Sequence, residues 1–296
     1  MTVMSWLVIF LYSVKSGGNI INGLAALIGI SFAHLATNLF DDYIDYKKLS
    51  SSECGFEGAP DSKCSYIRCG DATLRELFAA VCVFLAVALV CGGYLTFACG
   101  FVVPLLAIAG GIIVLTYPLL SSRGLSELAV ASAFGPLLFE GVYYVMCGRF
   151  SLFVLLMSFT VVTFTVVLLY AHTMLDFDGD IASCKKTLCT RFCDKFRALK
   201  FLGFLFVFGY SLVFVLSVYS QNYYFLFTLF TIPYAVQLYG AIYSYNEDKN
   251  SAPQLSSWNF PMEKVSTPAF HHRLFLARNL MVYFSFLMSL AIVLPD

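Results

Sequence analysis

Charged residues are scarce in this chain. Lysine, arginine, aspartate and glutamate make up 12% of its 296 residues, whereas they make up about 25% of a soluble domain. Hydrophobic residues make up 59%, and the mean hydropathy is +0.80. So few charges cannot cover a water-exposed surface of this size, which excludes a soluble globular protein. The 18 basic and 18 acidic residues cancel, so no net field attracts nucleic acid or another polyanion.

The chain also lacks a CxxC pair, although it has ten cysteines. Four of them lie inside apolar runs, where small core residues are common: Cys82, Cys91, Cys99 and Cys147. Three others share one polar loop: Cys54, Cys64 and Cys69. This pattern favours free thiols in a reducing compartment. A metal or redox site in the polar loop is the alternative.

Long apolar runs predict an all-α integral membrane protein. A helix needs about 20 apolar residues to cross a bilayer, and it satisfies its own backbone hydrogen bonds there. No basic stretch typical of a signal peptide begins the chain, so residues 2–14 are predicted as a short first membrane helix. Gly135, Pro136 and Glu140 predict a kink in the fifth helix. The nine predicted helices, which form one domain over residues 1–296, cover residues 2–14, 18–40, 74–94, 97–117, 125–147, 151–174, 198–218, 222–244 and 273–293.

Basic residues are distributed unequally between the loops. The loops after the second, fourth, sixth and eighth helices hold sixteen lysines and arginines, and the opposite side holds two, Lys15 and Arg149. The positive-inside rule places the sixteen in the cytoplasm. The first and last of the cytoplasmic segments are long enough to act as lids or binding loops. The four segments are residues 46–73, 118–124, 176–197 and 246–271.

An acidic cluster ends the second predicted helix. It contains Asp41, Asp42 and Asp45, with Asn38 one turn earlier. Residues three or four apart share a face of a helix. Asn38, Asp42 and Asp45 are therefore predicted to line one stripe, with Asp41 at its edge.

A second acidic cluster, from Asp176 to Asp180, follows the sixth helix on the same side of the membrane. Asp176 and Asp180 lie one helical turn apart, whereas Asp178 points elsewhere unless Gly179 breaks the helix. The two clusters are separated by four helices. This arrangement is typical of an internal duplication.

Clustered carboxylates at a membrane boundary need compensation. Each costs about 2.5–3.5 kcal/mol at the bilayer centre and less near the interface, and like charges repel one another. Mg²⁺ offsets such charge, because it binds one or two carboxylates together with substrate phosphates and neutralises a leaving group. The clusters therefore predict a site for a magnesium-bound diphosphate, and solvated helix ends are the alternative. Lysines that follow the clusters are predicted to grip the diphosphate, or only to fix the topology: Lys47, Lys48, Lys185 and Lys186.

Three passages within residues 30–200 resemble those of a known family. The first runs from Asn38 to Lys48 and contains Asn-Leu, two further residues, Asp-Tyr and a last Asp. The second joins Asp176–Asp180 to Lys185-Lys186-Thr187-Leu188. The third comprises Tyr117-Pro118, Gly124-Leu125-Ser126-Glu127, Phe134-Gly135-Pro136 and Gly141-Val142-Tyr143-Tyr144-Val145. Together they resemble the UbiA superfamily of membrane prenyltransferases, and the third favours its 1,4-dihydroxy-2-naphthoate polyprenyltransferases of menaquinone synthesis.

This resemblance implies nine helices around a central cavity, with a cytoplasmic cap over the aspartates. It implies Mg²⁺ dependence and transfer of a polyprenyl group from a polyprenyl diphosphate to an aromatic acceptor, here 1,4-dihydroxy-2-naphthoate. Asn38 and Lys185 or Lys186 are implied to contact the diphosphate. The residues implied to bind metal and to act in catalysis are Asp42, Asp45, Asp176 and Asp180.

Four positions depart from the family pattern. Ile181 stands where an arginine is usual, and Arg68, a predicted substrate contact, is displaced from its usual place. Glu140 stands at an apolar position, and a carboxylate inside a membrane marks a functional site by default. Glu140 is therefore predicted to contact a hydroxyl of the acceptor, or to pair with another residue. His172 replaces an asparagine and is predicted to be a polar neighbour of Asp176, or a base near the acceptor.

The predicted chemistry passes through an allylic carbocation. Aromatic faces stabilise such a cation by about 0.5–2 kcal/mol per ring, and the candidates are Tyr117, Tyr143, Tyr144 and Tyr170. The expected location is a bacterial inner membrane with the active site facing the cytoplasm, and a eukaryotic endomembrane is the alternative. Three other functions stay open: transfer to 4-hydroxybenzoate or another aromatic acceptor, transport of a divalent cation along the aspartates, and a family member without activity.

Overall fold

A computed structural model describes residues 1–51, 64–182, 186–249 and 269–294, without the side chains of residues 269–272. These residues form helices and no strand, and one isolated backbone bridge joins Arg123 to Lys186. In chain order the elements are α1 (Thr2–Lys15), α2 (Ile20–Ser51), α3 (Ser65–Arg68), α4 (Leu74–Cys99), α5 (Val102–Ser121), α6 (Ser126–Ser132), a π-helical turn (Ala133–Leu137), α7 (Leu138–Cys147), α8 (Leu152–Leu175), α9 (Phe177–Ala182), α10 (Leu188–Arg191), α11 (Lys195–Ser220), a 3-10 segment (Tyr223–Thr231), α12 (Ile232–Glu247) and α13 (Ala269–Val293).

Eight helical units of the described chain are long and apolar enough to cross a bilayer. The predicted all-α membrane architecture is therefore confirmed. The remaining predicted helix, α1, has 14 residues. At a rise of 1.5 Å per residue it is roughly 21 Å long, which is less than the roughly 30 Å of a hydrocarbon core. The number nine is thus approximate: it counts eight full-length units and one short helix.

The fifth membrane unit bends where the sequence predicts a kink. Between α6 and α7, the π-helical turn contains Gly135 with φ −95° and ψ −110°. Pro136 follows and removes a backbone donor. A Cβ at Gly135 would lie 3.0 Å from a methyl carbon of Val162. The missing side chain therefore lets the kinked unit pack closely against α8.

Helix α8 lies at the centre of the fold. It packs against the kinked unit, α11 and α13, and its side chains Val161, Phe164 and Val167 are almost completely buried. In contrast, α4 and α5 expose large apolar side chains such as Phe97 and Leu115, which suit contact with lipid. Because α8 is central, the second acidic cluster at its end lies in the middle of one end of the bundle.

Helix α2 continues past residue 40, where its predicted membrane segment ends, as far as Ser51. It packs along α4, whose first turn is fixed by a capping box between Thr73 and Glu76. The first acidic cluster therefore belongs to a regular helix, which keeps its side chains on a defined face. The predicted cytoplasmic segment 46–73 begins as part of this helix, and residues 52–63 of it lie outside the described chain.

Candidate active site

The first acidic cluster lies on α2, so Asn38, Asp42 and Asp45 follow one another at helical spacing along one face. Asp42 makes a well-defined contact there. Its Oδ2 accepts a hydrogen bond of 2.8 Å from the Tyr66 hydroxyl. Burial, together with the hydrogen bond to Asp42 and its charge, raises the pKa of Tyr66. The phenol therefore stays protonated and donates to one oxygen of Asp42.

Tyr66 belongs to α3, a single turn that packs against both α2 and α4. Cys64 and Ile67 are buried together with Leu77 of α4. The Cys64 thiol also donates to the backbone carbonyl oxygen of Asp42, at 3.6 Å. This small apolar cluster holds α3 over the first acidic cluster.

Asn38 is linked to a histidine that the sequence analysis did not select. Its side-chain nitrogen lies 3.4 Å from Nε2 of His34, and Nδ1 of His34 lies 2.7 Å from the Thr2 hydroxyl. The ring of Phe134, at the kink, meets the imidazole edge-on with centroids 5.0 Å apart. The four-residue spacing between His34 and Asn38 on a helix was the available signal. These contacts join α1, α2 and the kinked unit beside the first cluster.

The second acidic cluster begins where α8 ends. The amide of Asp176 donates to the carbonyl oxygen of His172 at 3.1 Å, and the amide of Asp180 donates to that of Asp176 at 2.8 Å. The helical path thus continues into α9 and keeps Asp176 and Asp180 one turn apart. Nδ1 of His172 lies 3.3 Å from Oδ2 of Asp176, which is one of the two positions expected for this histidine. Asp180 is buried, with 7% of its surface exposed.

Asp178 points away from Asp176 and Asp180, as expected for a helix that Gly179 does not break. Its Oδ2 lies 2.8 Å from Nζ of Lys195, at the start of α11, and 2.7 Å from Nζ of Lys249, after α12. Burial opposes the ionisation of Asp178, but the hydrogen bonds and charges of the two lysines outweigh it and lower the pKa of the carboxyl. Asp178 therefore joins three helices.

The loop between α5 and α6 docks on the segment that follows the second cluster. Arg123 and Lys186 form the isolated backbone bridge, and the Arg191 guanidinium donates to the Arg123 carbonyl oxygen at 2.5 Å. Gly124 has a φ of +69°, and a Cβ there would lie 2.9 Å from the carbonyl carbon of Thr187. Thr187 in turn caps α10. The docking brings together the second and third passages that carry the family resemblance.

Glu127, directly after this loop, is an acidic residue that the sequence analysis did not assign to the site. It is 5% exposed, and its Oε2 accepts a hydrogen bond of 3.0 Å from the Ser126 hydroxyl. Its charge acts on the hydroxyls of Tyr117 and Tyr170 and on the thiol of Cys189. The available signal was a carboxylate at the start of an otherwise apolar predicted helix.

The same neighbours link this carboxylate to both acidic clusters. Tyr117 also lies within electrostatic range of Asp41 and Asp45 in the first cluster. Cys189 lies within electrostatic range of Asp180 in the second. Groups from α5, α6 and α10 therefore connect the acidic ends of α2 and α8.

Arg273, at the start of the last membrane unit, is a third residue whose position the sequence did not reveal. Its side chain is buried, its Nε donates to the Ala241 carbonyl oxygen at 2.6 Å, and its guanidinium lies 4.9 Å from the centre of the Tyr245 ring. Tyr245 lies within electrostatic range of Asp176 and Asp178. Arg273, which the sequence analysis used only to predict the membrane topology, therefore lies near the second cluster.

The chemistry of the donor atoms in the clusters fits a hard divalent cation, because they are carboxylate oxygens. Within the part of the chain that the structure describes, no three His, Cys, Asp or Glu side chains are grouped to hold a metal by themselves. Mg²⁺ needs no such group, since it binds one or two carboxylates together with substrate phosphates and water. The residues that could hold it are Asp42 and Asp45 on one side and Asp176 and Asp180 on the other.

The basic residues predicted to contact the diphosphate lie around this acidic end. The ammonium of Lys47 lies 4.6 Å from the centre of the Tyr43 ring, so Lys47 is held along α2. Lys186 is exposed beside the docked loop, and Arg68 is exposed at the end of α3. Lys185 lies outside the described residues.

Three other predicted site residues, Glu140, Tyr143 and Tyr144, belong to α7. Oε2 of Glu140 accepts a hydrogen bond of 3.2 Å from the backbone amide of Ser151, just before α8 begins. The Tyr143 hydroxyl accepts one of 3.2 Å from Nε of Arg149. These contacts tie the end of α7 to the start of α8.

The length of α2 shows how far this region is from the aspartates. Asn22, in the first turn of α2, donates to the Val145 carbonyl oxygen at 2.9 Å. Asp42 follows twenty residues later on the same helix, which corresponds to about 30 Å. The structure therefore does not bring the α7 side chains to the acidic clusters. Of the four tyrosines predicted to face a cation, it brings Tyr117 near the first cluster. Tyr170 is completely buried, and its hydroxyl donates to the Ala198 carbonyl oxygen at 2.9 Å.

The chain is similar to known proteins over most of its length. A family profile described as the UbiA prenyltransferase family matches residues 2–260. The fold is similar to a solved structure of a UbiA homolog from Archaeoglobus fulgidus bound to GPP and Mg²⁺, with a TM-score of 0.56 and 15% identity over 96% of each chain. At this identity the structural likeness concerns the fold. No curated protein sequence matches the chain significantly.

Proposed function

Since this chain belongs to the UbiA prenyltransferase family, we propose that it transfers a polyprenyl group from a polyprenyl diphosphate to an aromatic acceptor. The observation that carries the proposal is the arrangement of carboxylates at one end of the bundle. Asp42 and Asp45 stand on α2, and Asp176 and Asp180 follow α8. Tyr117 lies within electrostatic range of Glu127 and of Asp45, and Cys189 lies within electrostatic range of Glu127 and of Asp180.

The donor diphosphate is proposed to bind between the two clusters together with Mg²⁺. The A. fulgidus homolog is bound to GPP and Mg²⁺, and the four aspartates here offer the oxygen ligands that such a cation prefers. When bound, Mg²⁺ neutralises negative charge on the departing diphosphate. Lys186, Arg68 and Lys47 stand around the same end and are proposed to contact phosphate oxygens, as is Lys185.

The proposed transfer breaks the allylic C–O bond of the donor and forms a carbon–carbon bond to the acceptor ring. The electron pair of the broken bond leaves with the diphosphate. Tyr117 is the tyrosine near the clusters that is proposed to offer an aromatic face to the allylic cation, which is worth about 0.5–2 kcal/mol per ring. Tyr170 is completely buried and bonded to Ala198, so its predicted role is left out. The acceptor ring then releases a proton or, if the acceptor is a naphthoate, carbon dioxide.

We favour 1,4-dihydroxy-2-naphthoate as the acceptor and menaquinone synthesis as the pathway. The support is the passage from Gly124 to Glu127, which resembles the naphthoate branch and docks beside the second cluster. Glu127 and His172 are the polar groups proposed to face the acceptor. Glu140 and the α7 tyrosines are left out of this site, because their contacts lie at the other end of the bundle.

The proposed location is a bacterial inner membrane, with the acidic end in the cytoplasm because basic residues predominate there.

The test is a reconstituted transfer reaction. Purified protein receives a labelled polyprenyl diphosphate, dihydroxynaphthoate and Mg²⁺, and mass spectrometry identifies the prenylated product. Asp42→Ala and Asp176→Ala are expected to lower kcat/KM by at least about 100-fold, since each removes a carboxylate that would hold the Mg²⁺ needed to neutralise the departing diphosphate. Asp178→Asn is the matched control, because Asp178 belongs to the same cluster but points towards Lys195 and Lys249. It is expected to keep most of the activity.

Several results would contradict the proposal. Full activity in Asp42→Ala, or in the presence of EDTA, would show that transfer does not need the proposed metal site. Loss of activity in Asp178→Asn but not in the other variants would show that the site has been assigned to the wrong aspartates. Preference for 4-hydroxybenzoate in a competition assay would change the acceptor. Divalent-cation flux into liposomes without a prenyl donor would replace transfer with transport.

A further inference from the structure

We propose that Tyr66 is a positioning residue for the metal site, which holds the Asp42 carboxylate in the orientation that binds the cation. This inference rests on the proposed function, because it assumes that Asp42 is a metal ligand. It concerns a residue in a cytoplasmic segment that the family resemblance does not assign. It also gives the single-turn helix α3 a role in the chemistry.

The geometry that carries the inference is direct. The Tyr66 hydroxyl donates to Oδ2 of Asp42 at 2.8 Å, the usual distance for a well-formed O–H···O hydrogen bond. A phenol has one hydrogen to donate, so the contact fixes one carboxylate oxygen. Because the carboxylate is rigid, the other oxygen, Oδ1, is then also held in one orientation. It lies on the helix face that also carries Asp45.

The backbone around this contact is held from both sides. The Cys64 thiol, two residues before Tyr66, donates to the Asp42 carbonyl oxygen at 3.6 Å. Ile67, directly after Tyr66, is buried against Leu77 of α4. The phenol therefore approaches Asp42 from a supported turn, which distinguishes it from a surface tyrosine that meets a carboxylate by chance.

Groups that hydrogen-bond to a metal ligand without touching the metal control its orientation and basicity. Removing such a partner typically lowers metal affinity by about 10- to 100-fold. Tyr66 also belongs to the same turn as Arg68, which is proposed to contact the diphosphate. Occupation of the metal site and docking of α3 are therefore expected to support each other.

The experiment measures metal binding and not turnover. Mn²⁺ is titrated into the purified full-length protein in nanodiscs, and free Mn²⁺ is followed by electron paramagnetic resonance, with and without a non-reactive prenyl thiodiphosphate. Tyr66→Phe removes the hydroxyl and keeps the packed ring. It is expected to weaken Mn²⁺ binding by at least about 10-fold.

Two further variants make the result specific. Tyr43→Phe is the matched control, because Tyr43 packs against the same apolar cluster as Tyr66 and lies under Lys47. It is expected to bind Mn²⁺ like the unchanged protein. Asp42→Asn removes the ligand charge itself and is expected to show the largest loss.

The outcomes separate this inference from the proposed function. Weak binding in Tyr66→Phe with normal binding in Tyr43→Phe supports the positioning role. If Asp42→Asn loses Mn²⁺ while Tyr66→Phe binds it normally, the inference is wrong and the proposed site stands. If Asp42→Asn also binds normally, the proposed metal site is wrong. A thermal melt of each apo-protein confirms folding, and the Mn²⁺-induced shift of the midpoint gives a second measure of affinity.

Discussion

A carboxylate that is 5% exposed is an unusual residue to find at a membrane boundary, and Glu127 is such a residue. It accepts a hydrogen bond from Ser126, and its charge acts on groups that neighbour both acidic clusters. A buried carboxyl oxygen favours hydroxyl groups or cations over apolar ligands, because a buried polar atom without a partner is costly. This is the physical reason for placing the hydroxyl groups of the acceptor beside Glu127.

We predict that Glu127→Gln lowers kcat/KM for the aromatic acceptor by about 10- to 100-fold, because a hydrogen bond to a charged group contributes roughly 1.5–3 kcal/mol. The KM for the prenyl diphosphate is expected to stay close to that of the unchanged protein. Steady-state kinetics with each substrate varied in turn measure both effects. Glu76→Gln is the matched control, since Glu76 is exposed and caps α4. If kcat/KM falls only for the prenyl diphosphate, Glu127 acts on the donor and not on the acceptor.

At the scale of elements, the docking of the α5–α6 loop depends on one glycine. Gly124 has a φ of +69°, and the space for a Cβ is filled by the backbone of Thr187. Gly148 has a similar φ of +73° with no atom within 4 Å of its Cβ position. Substitutions at the two glycines share the free-energy cost of the left-handed backbone conformation. Only the substitution at Gly124 adds the cost of losing the contact with Thr187.

We predict that Gly124→Ala lowers the thermal midpoint more than Gly148→Ala does. A left-handed conformation costs a non-glycine residue about 1–3 kcal/mol, which both variants share, and Gly124→Ala adds a clash with Thr187. Gly124→Ala is also expected to lose transfer activity, because the clash pushes the loop, and Glu127 after it, away from the second cluster. Circular dichroism melts and the transfer assay measure the two effects. Equal midpoints for the two variants would show that the docking contributes nothing to stability.

The ion pairs of Asp178 join α9, α11 and the end of α12. The pKa of Asp178 is lowered in the folded protein, so this contribution to stability is present above the ordinary pKa of an aspartate. It is lost as the pH falls through the lower, folded value. The partners are partly exposed, and such pairs contribute roughly 0.2–1 kcal/mol each.

We predict that Asp178→Asn lowers the free energy of unfolding by about 1 kcal/mol at neutral pH and that the difference disappears in acid. Thermal melts between neutral pH and pH of about 2 measure it, since the folded pKa of Asp178 lies below the value of about 3.9 of an unperturbed aspartate. Asp194→Asn is the control, because it removes the same charge and asparagine still caps α11. A difference that persists in acid would mean that Asp178 acts by packing and not by charge.

At the scale of the whole molecule, the two ends of the bundle have different tasks. The acidic clusters, Glu127 and most basic residues occupy one end, whereas Glu140 and the α7 tyrosines connect helices about 30 Å away. The exposed apolar faces of α4 and α5 suit lipid between these ends. A charged diphosphate would therefore bind at the acidic end, and an apolar polyprenyl tail would lie along the apolar part of the bundle.

The sequence by itself determined the all-α membrane architecture, the kink at Gly135 and the helical spacing within each acidic cluster. Apolar length and helical periodicity are local properties, so residues close in the chain are enough to predict them. The stripe of Asn38, Asp42 and Asp45 follows from spacing alone, as does the outward direction of Asp178.

Only the tertiary structure decided which distant residues meet at the site. It placed Tyr66 on Asp42, put Glu127 near residues that neighbour both clusters, and left Glu140 at the other end of the bundle. These contacts depend on how helices cross and on where short segments such as α3 and the α5–α6 loop dock. Periodicity says which face of a helix is apolar, but it does not say which partner that face meets or at what height along the membrane.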